Sequence, residues 1–76
     1  MKELLTQIAK ALVDNQGAVK VNAIAGQQIT ILELTVDIPD QGKVIGRAGK
    51  TADAIRLILN AAGAKVHHRY TLEILE

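Results

Sequence analysis

The segment Val44-Ile45-Gly46-Arg47-Ala48-Gly49-Lys50 holds two glycines three apart, one cation between them and another directly after. Residues of these types at this spacing can build a cradle for an anion. Glycine tolerates left-handed φ values and has no Cβ to hold a ligand away from the main chain. Lys50 and Thr51 open a helix, and the first amides of a helix carry partial positive charge. Phosphate is the natural occupant of such a place. Two phosphate motifs nearly match and fail at one shared position. Gly49-Lys50-Thr51 resembles the end of a nucleotide-binding P-loop, and Gly46 with Gly49 the end of G-x-G-x-x-G. Both require a glycine at 44, where the chain has Val44. The preceding residues 41–45 also read as a short turn rather than an apolar strand. A mononucleotide or nicotinamide enzyme is therefore disfavoured.

No other cluster assembles into a catalytic constellation. His67 and His68 are adjacent on an expected strand, so they point to opposite faces and chelate one ion poorly. The chain has no cysteine to complete such a set. Glu33 and Asp37 share one expected strand face, with no nucleophile or metal ligand near them in sequence, and read as solvent-face residues. The expectation is a binding protein with no catalytic residue, no cofactor and no metal.

The elements that must position the loop follow from periodicity. The 76 residues suit a single domain, 1–76, near the lower limit for folding on a hydrophobic core, and 49% are apolar. Leu4, Leu5, Ile8, Ala9, Leu12 and Val13 recur at helical spacing, predicting a helix over 2–14 that stops at Asn15 and Gly17. Val19, Val21 and Ala23 alternate with polar residues in a strand over about 18–25. Gly26 marks a tight turn, and Leu32, Leu34 and Val36 form a second, hairpin-paired strand ended by Pro39. Asp40 or Gln41 caps a helical turn through Ile45. A stronger helix covers 50–62 with Gly63 as its stop, and a last strand over about 66–75 carries Tyr70, Leu72 and Ile74 on one face. A helical crossover between strands two and three makes them parallel. The fold class is α+β, a three-stranded mixed sheet with helices packed on one face.

Charge is uneven although the net value is only +1. Residues 1–42 carry three lysines against five carboxylates, whereas residues 43–69 carry six cations against Asp53 alone. The basic block coincides with the glycine loop, which matters more for an anionic partner than net charge. The N-terminal residues lack the apolar run of a signal peptide, and no stretch is long enough to span a bilayer. A cytoplasmic protein without membrane contact is expected.

The αββααβ order and the Val-Ile-Gly-x-x-Gly loop resemble a KH domain of the prokaryotic, type II kind. More closely, Ile8 to Asn15, Ile31 to Leu34 and Gly42 to Gly46 resemble the KhpA family of small bacterial single-KH RNA-binding proteins. The resemblance covers the whole chain. It implies that Gly46, Arg47, Ala48 and Gly49 clamp the backbone of single-stranded RNA, about four nucleotides of which lie in a narrow groove. Lys50 and Lys43 would add phosphate contacts, and Ile45 would floor the groove. The opposite wall would be the last strand and the loop before it, bringing Lys65, His67, His68 and Arg69 nearby. One position departs from the wider pattern: Ala52 stands where many KH domains carry a bulky aliphatic residue, which implies a shallower floor and weak, loosely selective binding. The resemblance further implies an RNA chaperone or post-transcriptional regulator linked to cell elongation and division. The implied partners are a second copy or a larger KH-containing protein of the KhpB family.

Two readings from the residues sit beside it. Tyr70 is the only aromatic of the Phe, Tyr and Trp set, so stacking platforms of the RRM or OB type cannot operate. Binding must then rest on phosphates, apolar contact with base faces and hydrogen bonds to base edges, with marked salt sensitivity. In the third helix Ala52, Ile55, Ile58, Leu59 and Ala62 form a core stripe, while Ala54, Leu57 and Ala61 form a second apolar stripe. A dimer interface around Ala54, Leu57, Ile58 and Ala61 is one explanation. The alternative function is therefore a protein-interaction module in which contact with RNA is incidental.

Overall fold

The computed structural model describes all 76 residues. Helix α1 (Lys2–Leu12) leads through a 3-10 turn at Gln16–Ala18 into strands β1 (Lys20–Ala25) and β2 (Ile29–Thr35). A second 3-10 turn at Ile38–Asp40 enters the short helix α2 (Gln41–Ile45). A third, at Arg47–Gly49, enters α3 (Lys50–Ala64), and β3 (Arg69–Ile74) closes the chain. The sheet order is β1-β2-β3, with β1 antiparallel and β3 parallel to β2. This is the mixed three-stranded sheet that the element order predicted.

Alternation on β2 places Thr30, Leu32 and Leu34 on the buried face. The register sets Leu34 beside Val21 and Leu32 beside Leu72. Leu5 and Ala9 of α1, Val44 of α2, and Ile55 and Leu59 of α3 cover that face. Each fully buried leucine contributes about 2 kcal/mol.

Several boundaries differ from the sequence reading. α1 ends at Leu12 rather than 14, because Val13 turns extended (φ −98°, ψ 159°) and buries its side chain in the core. Asn15 is held from outside the helix, its amide donating to Asp40 Oδ2 at 3.0 Å. Gly63 does not stop α3; it is buried within the helix, and a Cβ there would meet the His68 carbonyl oxygen at 2.3 Å. Its carbonyl accepts from the amides of Val66 and His68, so the glycine folds residues 65–68 back onto the helix. β3 starts later than expected because His67 adopts φ 54° in that return. His68 likewise precedes the strand; its Nε2 hydrogen-bonds the hydroxyl of buried Thr30 at 2.6 Å. Asp37 lies past the end of β2 and does not share a strand face with Glu33; its carboxylate accepts from the Ile38 amide. Ile58 is exposed rather than part of the core stripe, which consists of Ala52, Ile55 and Leu59 with Gly63.

Candidate functional site

Between α2 and α3 the backbone reverses through three unusual conformations within four residues. Gly46 has φ 77° and ψ 173°, Ala48 φ 56° and ψ 26°, and Gly49 φ 76° and ψ 11°. Gly46 is required twice over, since a Cβ would also fall 2.2 Å from Thr51 Oγ1. At Gly49 nothing lies within 4 Å of such a Cβ, so only conformation demands glycine. Ala48 holds a left-handed conformation that costs an L-residue about 1 kcal/mol.

This path decides which amides remain available. Those of Gly46, Gly49 and Lys50 donate to the carbonyls of Gly42, Gly46 and Arg47. The Lys50 amide is thus satisfied internally, unlike the unpaired helix start inferred from sequence. The amides of Arg47 and Ala48 have no acceptor within the chain, and both residues are exposed. Two adjacent unpaired donors at a loop tip are suited to an oxyanion. The Arg47 and Lys50 side chains lie beside them, exposed and outside every ion pair of the chain.

Gly49 also lines a groove of about 580 Å³, together with Ile45, Ala52 and Arg56 on the helical side and Ile31 and residues 71–74 of the sheet on the other. Ile45 and buried Ala52 supply an apolar floor on the helix side. The far wall follows the open edge of β3. The amides of Arg69 and Leu75 donate to the carbonyls of Gln28 and Leu34, so the alternation of a parallel ladder turns the backbone amides and carbonyls of Tyr70, Leu72 and Ile74 toward the open edge.

The expected site residues divide by position. Ile45 and Gly49 line the groove, and Gly46, Arg47, Ala48 and Lys50 form the adjoining loop and helix start. Arg69 lies beyond this groove, in the two cavities that continue along β3. Lys43 is engaged elsewhere: its ammonium bridges Asp14 and Asp40. Those two carboxylates raise the Lys43 pKa above the ordinary lysine value, Asp14 contributing most. Asp40, 2% exposed, has its pKa lowered chiefly by the Asn15 amide.

Arg56 is a groove cation that the sequence reading missed. Its guanidinium pairs with Asp53 at 3.2 Å and donates to the Leu72 carbonyl on the β3 edge at 3.4 Å. The signal was available, because Ala52 and Arg56 are one helical turn apart and project from the same side as Gly49. Glu73, also missed, adds a carboxylate to the sheet wall.

The groove face of α3 is separate from its other exposed face. Leu57 is 70% exposed, and Ala54, Ile58 and Ala61 are exposed around it. No group of three metal-ligating side chains occurs, and no helix is long and apolar enough to cross a membrane.

Comparison with known proteins agrees with the fold. The family model described as KhpA/KhpB, KH domain, matches residues 2–74. The RNA-binding protein KhpA of Caldanaerobacter subterraneus is 52% identical over 75 residues, covering 99% of this chain and all of the relative. Its counterpart in Borreliella burgdorferi is 51% identical over 97% of this chain and 90% of the relative. That of Aquifex aeolicus is 46% identical over the whole chain and 96% of the relative. No solved structure matches.

Proposed function

The chain belongs to the KhpA/KhpB family of KH domains, and we propose that it binds single-stranded RNA along the groove between the glycine loop and β3. Its relatives are named for binding, and the chain is not an enzyme. The observation that carries the reading is the pair of exposed, acceptor-free amides at Arg47 and Ala48, set between two positive-φ glycines at the head of an open groove. A phosphate accepts from those amides, and Arg47 and Lys50 add charge at its flanks. The strand then runs over Ile45 and Ala52, with bases toward Arg56, Glu73 and the open backbone groups of β3. Phosphate contacts fix position without reading sequence, so affinity is salt-dependent and selectivity modest.

The resemblance to the KhpA family, rather than the geometry, supports a role in the cytoplasm as an RNA chaperone or post-transcriptional regulator linked to cell elongation and division. The family joins KhpA with KhpB, which supports a second copy or a larger KhpB-type protein as partner. The exposed patch of Ala54, Leu57, Ile58 and Ala61 is the surface for that contact. The same patch supports a second reading, in which docking is the main activity and RNA contact is incidental.

The test is the double variant Arg47→Asp with Ala48→Asp, which sets two carboxylates against the phosphates. Affinity for a labelled single-stranded RNA, read by fluorescence anisotropy, falls by about tenfold or more while the CD spectrum is unchanged. Equal affinity in a folded double variant contradicts RNA binding at the loop.

A further inference from the structure

The groove does not end where the glycine loop's reach ends. A second cavity shares Arg56, Thr71 and Leu72 with the first and continues to Asn60, Arg69 and Ile29. A third, of about 560 Å³, shares Ile29, Asn60 and Arg69 with the second and closes against Gln28, His67 and His68. Arg56, Asn60 and Ala64 succeed one another at four-residue spacing, so one side of α3 forms the wall throughout. From Gly49 to Ala64 that wall spans about 22 Å at 1.5 Å per residue.

The chemistry changes along it. Near the loop the lining is largely apolar, with Ile31, Ile45, Ala52, Leu72 and Ile74. At the far end Gln28, Asn60, His67, His68 and Arg69 leave only Ile29 and Ala64 as apolar members. The Asn60 and Gln28 carboxamides are exposed and have no hydrogen-bond partner within the chain, and Arg69 is in no ion pair. A carboxamide offers a donor and an acceptor side by side, the pattern that pairs with adenine through N6–H and N7. His67, exposed, supplies a planar ring face in a chain almost without aromatics, and Ile29 an apolar one.

We propose that this far cavity is a base-reading subsite for a single unpaired adenine, with Asn60 as its specificity residue and Arg69 on the adjacent phosphate. This rests on the RNA reading above and deepens it: the loop clamps without reading, and selectivity is concentrated at the opposite end of α3.

Heptauridine and seven variants of it, each with one adenine, are titrated by anisotropy against the wild type, Asn60→Ala and the Arg47→Asp, Ala48→Asp double variant. Asn60 is exposed on a helix, where alanine is well tolerated. One adenine position near an end of the oligonucleotide is expected to raise wild-type affinity about tenfold. Asn60→Ala removes that gain, so that the adenine-containing oligonucleotides bind it no better than heptauridine does, whereas the double variant weakens every oligonucleotide alike and keeps the positional gain. A positional gain that survives Asn60→Ala, or no positional gain in a wild type that binds heptauridine, overturns the subsite and spares the RNA reading. A wild type that binds none of the eight overturns both.

Discussion

Gly46 and Gly49 share a motif but not a reason. At Gly46 a side chain meets Thr51 within 2.2 Å and needs a backbone region that only glycine occupies readily, whereas Gly49 has open space and an ordinary left-handed conformation. Gly46→Ala therefore costs about 3 kcal/mol or more, strain and overpacking together, and Gly49→Ala about 1 kcal/mol. Urea unfolding of the two variants checks this; equal losses would show that the Thr51 contact relaxes freely. The glycine spacing and the flanking cations were legible in the sequence because they are local. The left-handed Ala48 was not, since alanine carries no sign of that conformation. Nor was the engagement of Lys43, which depends on Asp14, 29 residues away in sequence.

At the scale of elements, the joint between the end of α1 and the start of α2 is held by one buried carboxylate. Asp40 accepts from the Asn15 amide at 3.0 Å and from the Lys43 ammonium at 3.2 Å. A carboxyl whose pKa is lowered by folding stabilises fully above its unfolded value, near 4, and loses that contribution as pH falls through the folded value. Lys43, with its pKa raised, contributes below its unfolded value and loses its share as pH rises through the folded one. Asp40→Asn is thus less stable than wild type at pH 7, and the gap narrows below about pH 4. Thermal unfolding followed from pH 7 to pH 3 tests it, and a gap that stays constant would contradict the role given to the charge. Element order and sheet topology were readable from periodicity. The helix end at Gly63 was misread because glycine signals a stop and a close approach equally well, and only the packing of His68 on α3 decides between them.

For the molecule as a whole, α3 organises two surfaces. One side lines the groove through Ala52, Arg56 and Asn60, and the other exposes Ala54, Leu57, Ile58 and Ala61. In the proposed self-association the second surface is covered and the first left open, so a dimer would present two RNA grooves. Leu57→Asp is expected to halve the mass seen by light scattering while RNA affinity per chain changes by less than about twofold; unchanged mass would remove this patch as the interface. The distinction between groove and docking face was only half legible, because Ile58 fits the core stripe by spacing and yet lies exposed. The most direct test of the central claim is a titration of single-stranded RNA into isotopically labelled protein, followed by amide NMR shifts. The Arg47 and Ala48 amides are expected to move first and furthest, with Gly49, Ala52, Arg56 and Leu72 following. Shifts centred on Ala54, Leu57 and Ala61 with a silent glycine loop would contradict it.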